Sequence, residues 1–224
     1  MSEERHALLA EAADPRRAKA DDARRLARLL AAAFATDPVM DWISRRGPKR
    51  AAGLERFFFW LLTTRAIPFG EVWMAASGGA AAVWLPPNVP ATAGGFIDQM
   101  RLMPMFLRMC GLPRLLRGQA MADAMERHHP HDPHYYLAFI AVAPRLQGLG
   151  LGSAMLDATV KRVDEERAPA YLENSNPKNT RLYERAGFVR RQNIAPTNAP
   201  PLIAMWREAR PITLTDQGSS SLSQ

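Results

Sequence analysis

Three glycines interrupt the segment RLQGLGLGSAML, residues 145–156, which follows the strongly apolar run YYLAFIAV at 135–142. The apolar run predicts a strand, and the pattern from Gly152 onward predicts a helix. The N-terminus of a helix that follows glycines is suited to anions. Its free N–H groups and its dipole favour phosphate, and glycine lets the backbone approach closely. The segment is therefore a candidate phosphate site.

Three classes of phosphate-bearing cofactor use such a loop. A nucleoside triphosphate normally requires a lysine and a hydroxyl residue at the loop's end, whereas this loop ends in Gly-Ser-Ala. A dinucleotide requires glycines at relative positions one, three and six. Counted from Gly148 the sixth residue is Ser153, and counted from Gly150 it is Met155. Glu173 does lie where a ribose-binding acid would follow such a loop. The third class is the pyrophosphate of coenzyme A.

Two motifs favour the third class through a family resemblance. The segment QGLGLG at 147–152 resembles the Q/R-x-x-G-x-G/A loop of the GCN5-related N-acetyltransferases (GNAT). The segments ENSNPKN at 173–179 and YERAGF at 183–188 resemble that family's late strand and helix, in the same order and separation. The clear match spans about residues 135–188. The segments AAFATDPVMDWI, AAAVWLPP and HPHDPHYYLAFIAVAP also resemble the branch that contains puromycin N-acetyltransferase.

The resemblance implies acetyl transfer from acetyl-CoA to a primary amine by direct attack in a ternary complex. Backbone groups of Ile140 and Val142 would bind the pantetheine arm and help to polarise the thioester carbonyl. Asn179 would hydrogen-bond the same arm. Tyr183 would be the general acid for the sulfur, the alternative being an ordinary half-buried tyrosine. The predicted pyrophosphate cradle is Gln147, Gly148, Leu149, Gly150, Leu151, Gly152 and Ser153.

The general base is less closely defined by the resemblance. Glu173 is the first candidate: it could accept a proton directly, accept it through water, bind the substrate ammonium, or form a salt bridge with an arginine. His134 is the weaker candidate. Cys110, the only cysteine, is not needed, because direct attack requires no acyl-enzyme.

The predicted substrate is a small-molecule amine, antibiotic-like, aminoacyl or aminonucleoside. The alternatives are a protein N-acetyltransferase and a non-catalytic acyl-CoA sensor on the same fold. We expect a monomer or homodimer. Six of the eleven methionines lie between Met100 and Met125. Methionine packs adaptably, so this segment is either helical core or a flexible wall over the substrate pocket.

Composition limits the other partners. The net charge of +7 is spread along 224 residues and matches no nucleic-acid-binding motif, so no nucleic-acid partner is expected. The charged start and the lack of a long apolar run predict a cytoplasmic protein without a membrane partner. The histidine-rich segment HHPHDPH at 128–134 is broken by two prolines and lacks an HExxH pattern, so no metal is predicted.

The predicted fold is α/β (α+β mixed) of the GNAT type: a central mixed, mostly antiparallel twisted sheet flanked by helices, with a helical insertion in mid-chain. One domain is expected over residues 1–210, with an acetyl-CoA-binding core at about 135–190, an insertion at about 91–130 and a disordered tail at 211–224. We expect the strand at 135–142 to be buried on both faces. The predicted helices cover 21–34, 51–67, 95–129 with a break at 111–113, 152–167 and 176–186. The predicted strands cover 71–76, 80–85, 135–142, 170–173, 188–192 and 202–206.

Overall fold

The computed structural model describes residues 2–87, 89 and 96–210, with side chains from 3 to 87, at 89 and from 103 to 210. The predicted tail at 211–224 lies outside the described residues, as do residues 91–95 of the predicted insertion.

Within the described residues the strands form one open sheet of seven strands. They are β1 (Arg16–Arg17), β2 (Val72–Met74), β3 (Ala80–Leu85), β4 (Tyr135–Val142), β5 (Ala170–Asn174), β6 (Val189–Ile194) and β7 (Leu202–Arg207). Their spatial order is β1-β2-β3-β4-β5-β7-β6. In this sheet β4 and β5 are parallel, and every other pair of neighbouring strands is antiparallel. The prediction of a mixed, mostly antiparallel sheet is confirmed.

Helices cover both faces of this sheet. In chain order they are α1 (Ser2–Ala13), α2 (Ala23–Ala33), α3 (Pro38–Ile43), α4 (Arg50–Leu61), α5 (Phe96–Cys110), α6 (Leu112–His128), α7 (Leu151–Glu165) and α8 (Thr180–Arg185). A π-helical turn at Leu62–Ala66 and a 3-10 turn at Ile67–Phe69 extend α4, and Gly111 separates α5 from α6. The sequence did not predict α1, α3 or β1. The apolar stripe of α1 is narrow, β1 is two residues long, and α3 begins where Asp37-Pro38 indicated only a break.

The alternation of side chains along β3 divides the core into two layers. Ala81 and Val83 belong to the layer under α2 and α4, with Leu26, Leu54 and Phe58. Side chains of β3 on the opposite face, including Trp84, join the layer under α1 and α7. Because successive residues of a strand point to opposite faces, one short strand of small and apolar residues contributes to both layers.

The strand β4 is less buried than predicted. Leu137 and Ala141 are buried, but the other six residues of the strand keep intermediate exposure. The reason is geometric: β4 borders an open cleft over much of its length, as described below.

A buried ion pair joins the sheet to the helices that carry the cleft residues. Arg207 on β7 is 2 % exposed, and its Nη1 and Nη2 donate to the two carboxylate oxygens of Asp164 on α7 at 2.5 and 2.8 Å. Its Nε donates to the carbonyl oxygen of Ala186, which directly follows α8, at 2.9 Å. Arg207 therefore holds α7 and the end of α8 against the same strand.

Replacing this guanidinium should destabilise the fold. We expect Arg207→Ala to lower the free energy of unfolding by about 3 kcal/mol, because a largely buried carboxylate loses both guanidinium hydrogen bonds and keeps only Arg210, at 4.0 Å. Urea denaturation followed by circular dichroism measures the change. The matched control is Arg191→Ala, which breaks the exposed Arg191–Glu208 pair and should cost less than about 1 kcal/mol. Equal losses in the two variants would contradict the anchoring role.

Candidate active site

The cleft begins where β4 and β5 separate. The parallel register pairs Tyr135 with Ala170 and Tyr136 with Tyr171, and it ends there. The remaining six residues of β4 continue without a paired residue on β5. One edge of β4 is therefore open to whatever occupies the cleft.

A bulge decides which backbone groups face that open edge. Opposite β3, Leu137 pairs with Trp84 and Phe139 with Val83, so Ala138 is an extra residue in β4. The Tyr135 N–H donates toward the β5 side, to Pro169, whereas the Ala143 N–H donates toward the β3 side, to Gly79. In a regular strand, residues an even number apart face the same way. The bulge reverses that alternation.

The reversal turns Ile140 and Val142 toward the cleft. Since Ala143 and Ala141 face β3, the backbone groups of the residues alternating with them face the open side. The Val142 carbonyl oxygen accepts a hydrogen bond there from Gln147 Nε2 at 3.2 Å. The two residues that the family resemblance indicated therefore present their main chain to the cleft.

The glycine loop closes the end of the cleft next to β4. Gly148 and Gly150 have φ angles of +78° and +95°, in the left-handed region that favours glycine. Gly150 directly precedes α7, whose first turn carries N–H groups without partners within the helix. Six of the seven predicted cradle residues line the cleft: Gln147, Gly148, Gly150, Leu151, Gly152 and Ser153.

Leu149 is the exception among the predicted cradle residues. It packs against the core layer under α1 and α7, and its carbonyl oxygen accepts a hydrogen bond from Arg5 Nε at 3.3 Å. A Cβ atom on Gly150 would lie 3.3 Å from Leu9 Cδ2. Helix α1 thus supports the loop from the side opposite the cleft.

The cleft leads into a cavity of about 1470 Å³. Its far wall consists of apolar side chains from α4, α5 and α6, and four of them are methionines of the methionine-rich segment. The wall residues include Phe57, Trp60, Met103, Phe106, Met109, Met121 and Met125. The structure thus shows the methionine-rich segment as both helical core and cavity wall: Met109 and Met121 are 2 % and 3 % exposed and still border the cavity. The side chain of Met100 lies outside the described residues.

Tyr183 and Asn179 border the cavity near the loop. Tyr183 is buried in α8, with its ring 6.3 Å from that of Phe188. Burial raises the pKa of the Tyr183 hydroxyl well above its usual value, and the nearby carboxylate of Asp37 raises it further. The hydroxyl therefore holds its proton at neutral pH.

Asp37 is a cavity residue whose connection to the site the sequence did not reveal. One carboxylate oxygen caps α3 by accepting from the N–H groups of Val39 and Met40 at 3.0 and 2.9 Å, and the other accepts from the Ser175 hydroxyl. Burial raises the pKa of this carboxyl group. The Asp-Pro pair is a typical helix start, but no sequence pattern links it to Ser175 on the loop after β5.

Glu173 also lies in the cavity wall, on β5, with its side chain 1 % exposed. Its Oε2 accepts a hydrogen bond from the Tyr136 hydroxyl at 2.5 Å. Its Oε1 is buried without a hydrogen-bond partner, 3.7 Å from His129 Nδ1. Within the described residues the basic side chain next to Glu173 is thus a histidine and not an arginine.

The structure separates the two histidines near Glu173. His134 is buried behind the wall, and its Nδ1 lies 2.6 Å from the Asp132 carbonyl oxygen. Burial lowers the pKa of His134. His129 borders the cavity, and His134 is not among the lining residues. Sequence reasoning named His134, whereas His129 is the histidine next to the candidate base.

Neither a metal cluster nor a membrane-spanning helix occurs in the described part of the chain. No group of three or more histidine, cysteine, aspartate or glutamate side chains in that part is arranged to hold a metal ion. Among the same residues, no helix combines the length and apolar character needed to cross a bilayer.

Comparisons with known proteins agree with this geometry. The sequence profile of the Acetyltransferase (GNAT) family matches residues 116–188. An uncharacterized N-acetyltransferase of Schizosaccharomyces pombe is 31 % identical over 101 residues, which are 44 % of this chain and 40 % of the relative. The match therefore spans less than half of that curated relative.

Solved structures share the fold over nearly the whole chain. A Corynebacterium glutamicum protein described as histone acetyltransferase HPA2 and related acetyltransferase superposes with a TM-score of 0.67 at 24 % identity, covering 89 % of this chain and 98 % of the other. Polyamine N-acetyltransferase of Drosophila melanogaster gives 0.55 at 18 %, covering 87 % and 98 %.

These comparisons do not test the resemblance to the puromycin branch, which stays a prediction. The family profile covers most of α6, the two separated strands, the glycine loop and α8, whereas α4 and α5, which complete the apolar wall, lie outside it. Residues 116–188 are therefore similar to the GNAT acetyltransferase family, and the fold of nearly the whole chain is shared with solved acetyltransferase structures.

Proposed function

We propose that this protein transfers the acetyl group of acetyl-CoA to the primary amine of a bulky, largely apolar small molecule. The observation that carries the proposal is a single cavity in which the glycine loop, the buried Glu173 carboxylate and an aromatic and methionine wall meet. An antibiotic-like, aminoacyl or aminonucleoside amine fits this description.

The cofactor half of the site follows the open edge of β4. The exposed main chain of Ile140 and Val142 supports hydrogen bonds to the pantetheine arm, and Asn179 borders the same space. The N–H groups at the start of α7 suit the pyrophosphate. Leu149 packs against the core and supports the loop from the side opposite the cleft. The loop residues that would contact the pyrophosphate are Gln147, Gly148, Gly150, Leu151, Gly152 and Ser153.

The acceptor half supports a small molecule over a protein. Typical ligand pockets measure about 300–1,000 Å³, so a cavity of about 1470 Å³ has room for a cofactor arm and a second ligand. Helices α5 and α6 form a wall over it, whereas a peptide substrate would require an open groove. The apolar wall favours a hydrophobic amine, and the unpartnered Oε1 of Glu173 suits its ammonium group.

The chemistry is divided between two residues. Glu173 accepts a proton from the bound ammonium group, and the neutral amine attacks the thioester carbonyl. Backbone N–H groups at the open edge of β4 stabilise the developing oxyanion. Tyr183 presents its proton to the departing sulfur, which suits a hydroxyl that stays protonated at neutral pH.

The decisive test is acetyl-CoA-dependent thiol release with a panel of amines: puromycin, arylalkylamines, polyamines and an unblocked peptide. We expect release with one or more hydrophobic small amines. Tyr183→Phe should lower kcat by roughly ten- to a thousandfold with little change in acetyl-CoA affinity.

Three other results would contradict parts of the proposed function. Turnover restricted to the peptide would replace the small-molecule proposal with protein N-acetylation. Acetyl-CoA binding without any turnover would favour an acyl-CoA sensor. Unchanged turnover in Tyr183→Phe, with chemistry rate-limiting, would remove Tyr183 from the mechanism.

A glycine substitution tests the pyrophosphate cradle. Gly150→Val should weaken acetyl-CoA binding at least tenfold by calorimetry, because valine is strained at a φ of +95° and its Cβ would press on Leu9. The control is Gly47→Val, which imposes similar strain at a φ of +92° with open space around its Cβ and does not line the cavity. Equal affinity losses in the two variants would mean that the loop has no special role in binding.

Replacing the cysteine in the cavity wall tests whether the reaction passes through an acyl-enzyme. Cys110 is buried, and burial raises the pKa of its thiol to about 11, so little nucleophilic thiolate exists at neutral pH. Cys110→Ala should keep kcat within about threefold of the wild-type value, and a thiol reagent should modify the protein quickly only after unfolding. Loss of activity in a folded Cys110→Ala protein with normal acetyl-CoA affinity would contradict direct transfer.

A further inference from the structure

We propose that His129 acts through Glu173 as a proton relay, which carries the substrate proton from Glu173 to solvent. The proposal rests on the proposed amine acetylation and adds to it the path by which the proton leaves the site.

The reaction must release one proton in each turnover. An ammonium substrate and acetyl-CoA yield an amide, a free thiol and one proton. The nitrogen loses two protons in all: one before it attacks, and one as the tetrahedral intermediate collapses. One of these two protons is balanced by the proton that the thiol gains from Tyr183. The other must leave the cavity before Glu173 can act again.

Glu173 is poorly placed to release that proton by itself. Its side chain is 1 % exposed, and one oxygen is held by the Tyr136 hydroxyl at 2.5 Å. The other oxygen, Oε1, has His129 Nδ1 at 3.7 Å. That distance is longer than a hydrogen bond, but catalytic hydrogen bonds are often long in an empty site and shorten when the substrate binds.

His129 has the more exposed side chain of this pair and also borders the cavity. It follows α6 directly, with its N–H bonded to the Glu126 carbonyl, and its side chain is 25 % exposed. Its ring lies edge-to-face against the rings of Tyr136 and Tyr171, each 5.1 Å away. The two tyrosines fix the plane of the imidazole, so one nitrogen faces the carboxylate.

The electrostatic surroundings of His129 are compact. Glu173 and Tyr136 face it from β5 and β4, Tyr171 faces it from β5, and the His134 ring lies 5.0 Å away. Glu173 is the one acidic side chain that the structure places in ion-pair range of the ring, within the described residues. When Glu173 passes its proton to His129, the imidazole becomes positive and Glu173 becomes negative. The new positive charge therefore has one adjacent negative partner.

The proton path balances in three steps. The ammonium N–H bond breaks and the proton moves to Glu173 Oε1, giving a neutral acid and a neutral amine. The acid then passes the proton to Nδ1 of a neutral His129, giving carboxylate and imidazolium. The imidazolium releases a proton to water, and exchange with solvent restores a ring with an open Nδ1.

A purely structural histidine accounts less well for the geometry. A structural partner would be expected to satisfy Glu173 Oε1, because a buried oxygen without a hydrogen bond costs about 1–3 kcal/mol. Instead Oε1 has no hydrogen-bond partner. The buried Tyr171 hydroxyl, whose pKa is raised by burial and by Glu173, also has no hydrogen-bond partner. Neither the tyrosine nor the histidine therefore occupies Oε1, and that oxygen stays available between the cavity and the ring.

The experiment is chemical rescue of a cavity variant. With the best amine from the panel, His129→Ala should lower kcat about ten- to a hundredfold and leave the KM for acetyl-CoA within about twofold. Added imidazole should restore kcat in proportion to its concentration. The control is His131→Ala, which replaces an exposed histidine of the same loop. Its kcat should equal that of the wild type and should not change when imidazole is added.

Two further variants separate a relay from a packing role. His129→Gln, which fills the site, should lose the same activity without rescue. The double variant His129→Ala/Glu173→Gln should be no slower than Glu173→Gln alone, because both residues serve one proton path. Multiplying effects in the double variant, or a His129→Ala loss that imidazole does not restore, would overturn the relay.

The two levels of proposal fail in different ways. If the wild type releases thiol with an amine and His129→Ala is equally fast, the relay is wrong and the acetylation stands. If the wild type releases no thiol with any amine, the proposed function is wrong, and the relay is wrong with it.

Discussion

The separation of β4 from β5 is the constraint on which the rest of the site depends. Two parallel strands that paired along their whole length would satisfy each other's backbone groups and leave no room for a ligand. Here the pairing ends at Tyr136 and Tyr171, and the bulge at Ala138 turns the next free main-chain groups into the gap. The glycine loop, α8 and the methionine wall all border the space that this separation creates.

Much of the fold could be predicted from the sequence because its signals are local. Apolar runs marked five of the seven strands, and Gly111 marked the break between α5 and α6. The glycine loop could also be predicted, because left-handed backbone before a helix favours glycine, and glycines are visible in the sequence. The family resemblance supplied what local signals lack, namely that the loop and the later Tyr183 segment border one cleft.

The rest of the site depends on contacts between distant residues that carry no local pattern. Asp37 and Ser175 are 138 positions apart in the chain and form a hydrogen bond that no pattern in either segment predicts. His129 and His134 stand five residues apart in one histidine-rich loop, and only the path of the chain after α6 decides which of them borders the cavity. The partial exposure of β4 was likewise invisible, because an apolar strand beside a ligand cleft looks like a buried one.

The support that α1 gives to the glycine loop has a consequence for how the protein assembles. Arg5 and Leu149 are separated by 144 positions in the chain, yet their contact and that of Leu9 shape the back of the loop. Contacts of such long range are slow to form. During synthesis α1 must wait for α7 before its own apolar stripe is covered. The glycine loop, for which we propose cofactor binding, is therefore among the last regions to become rigid. A cofactor bound there would favour the finished loop and so hold the first helix in place.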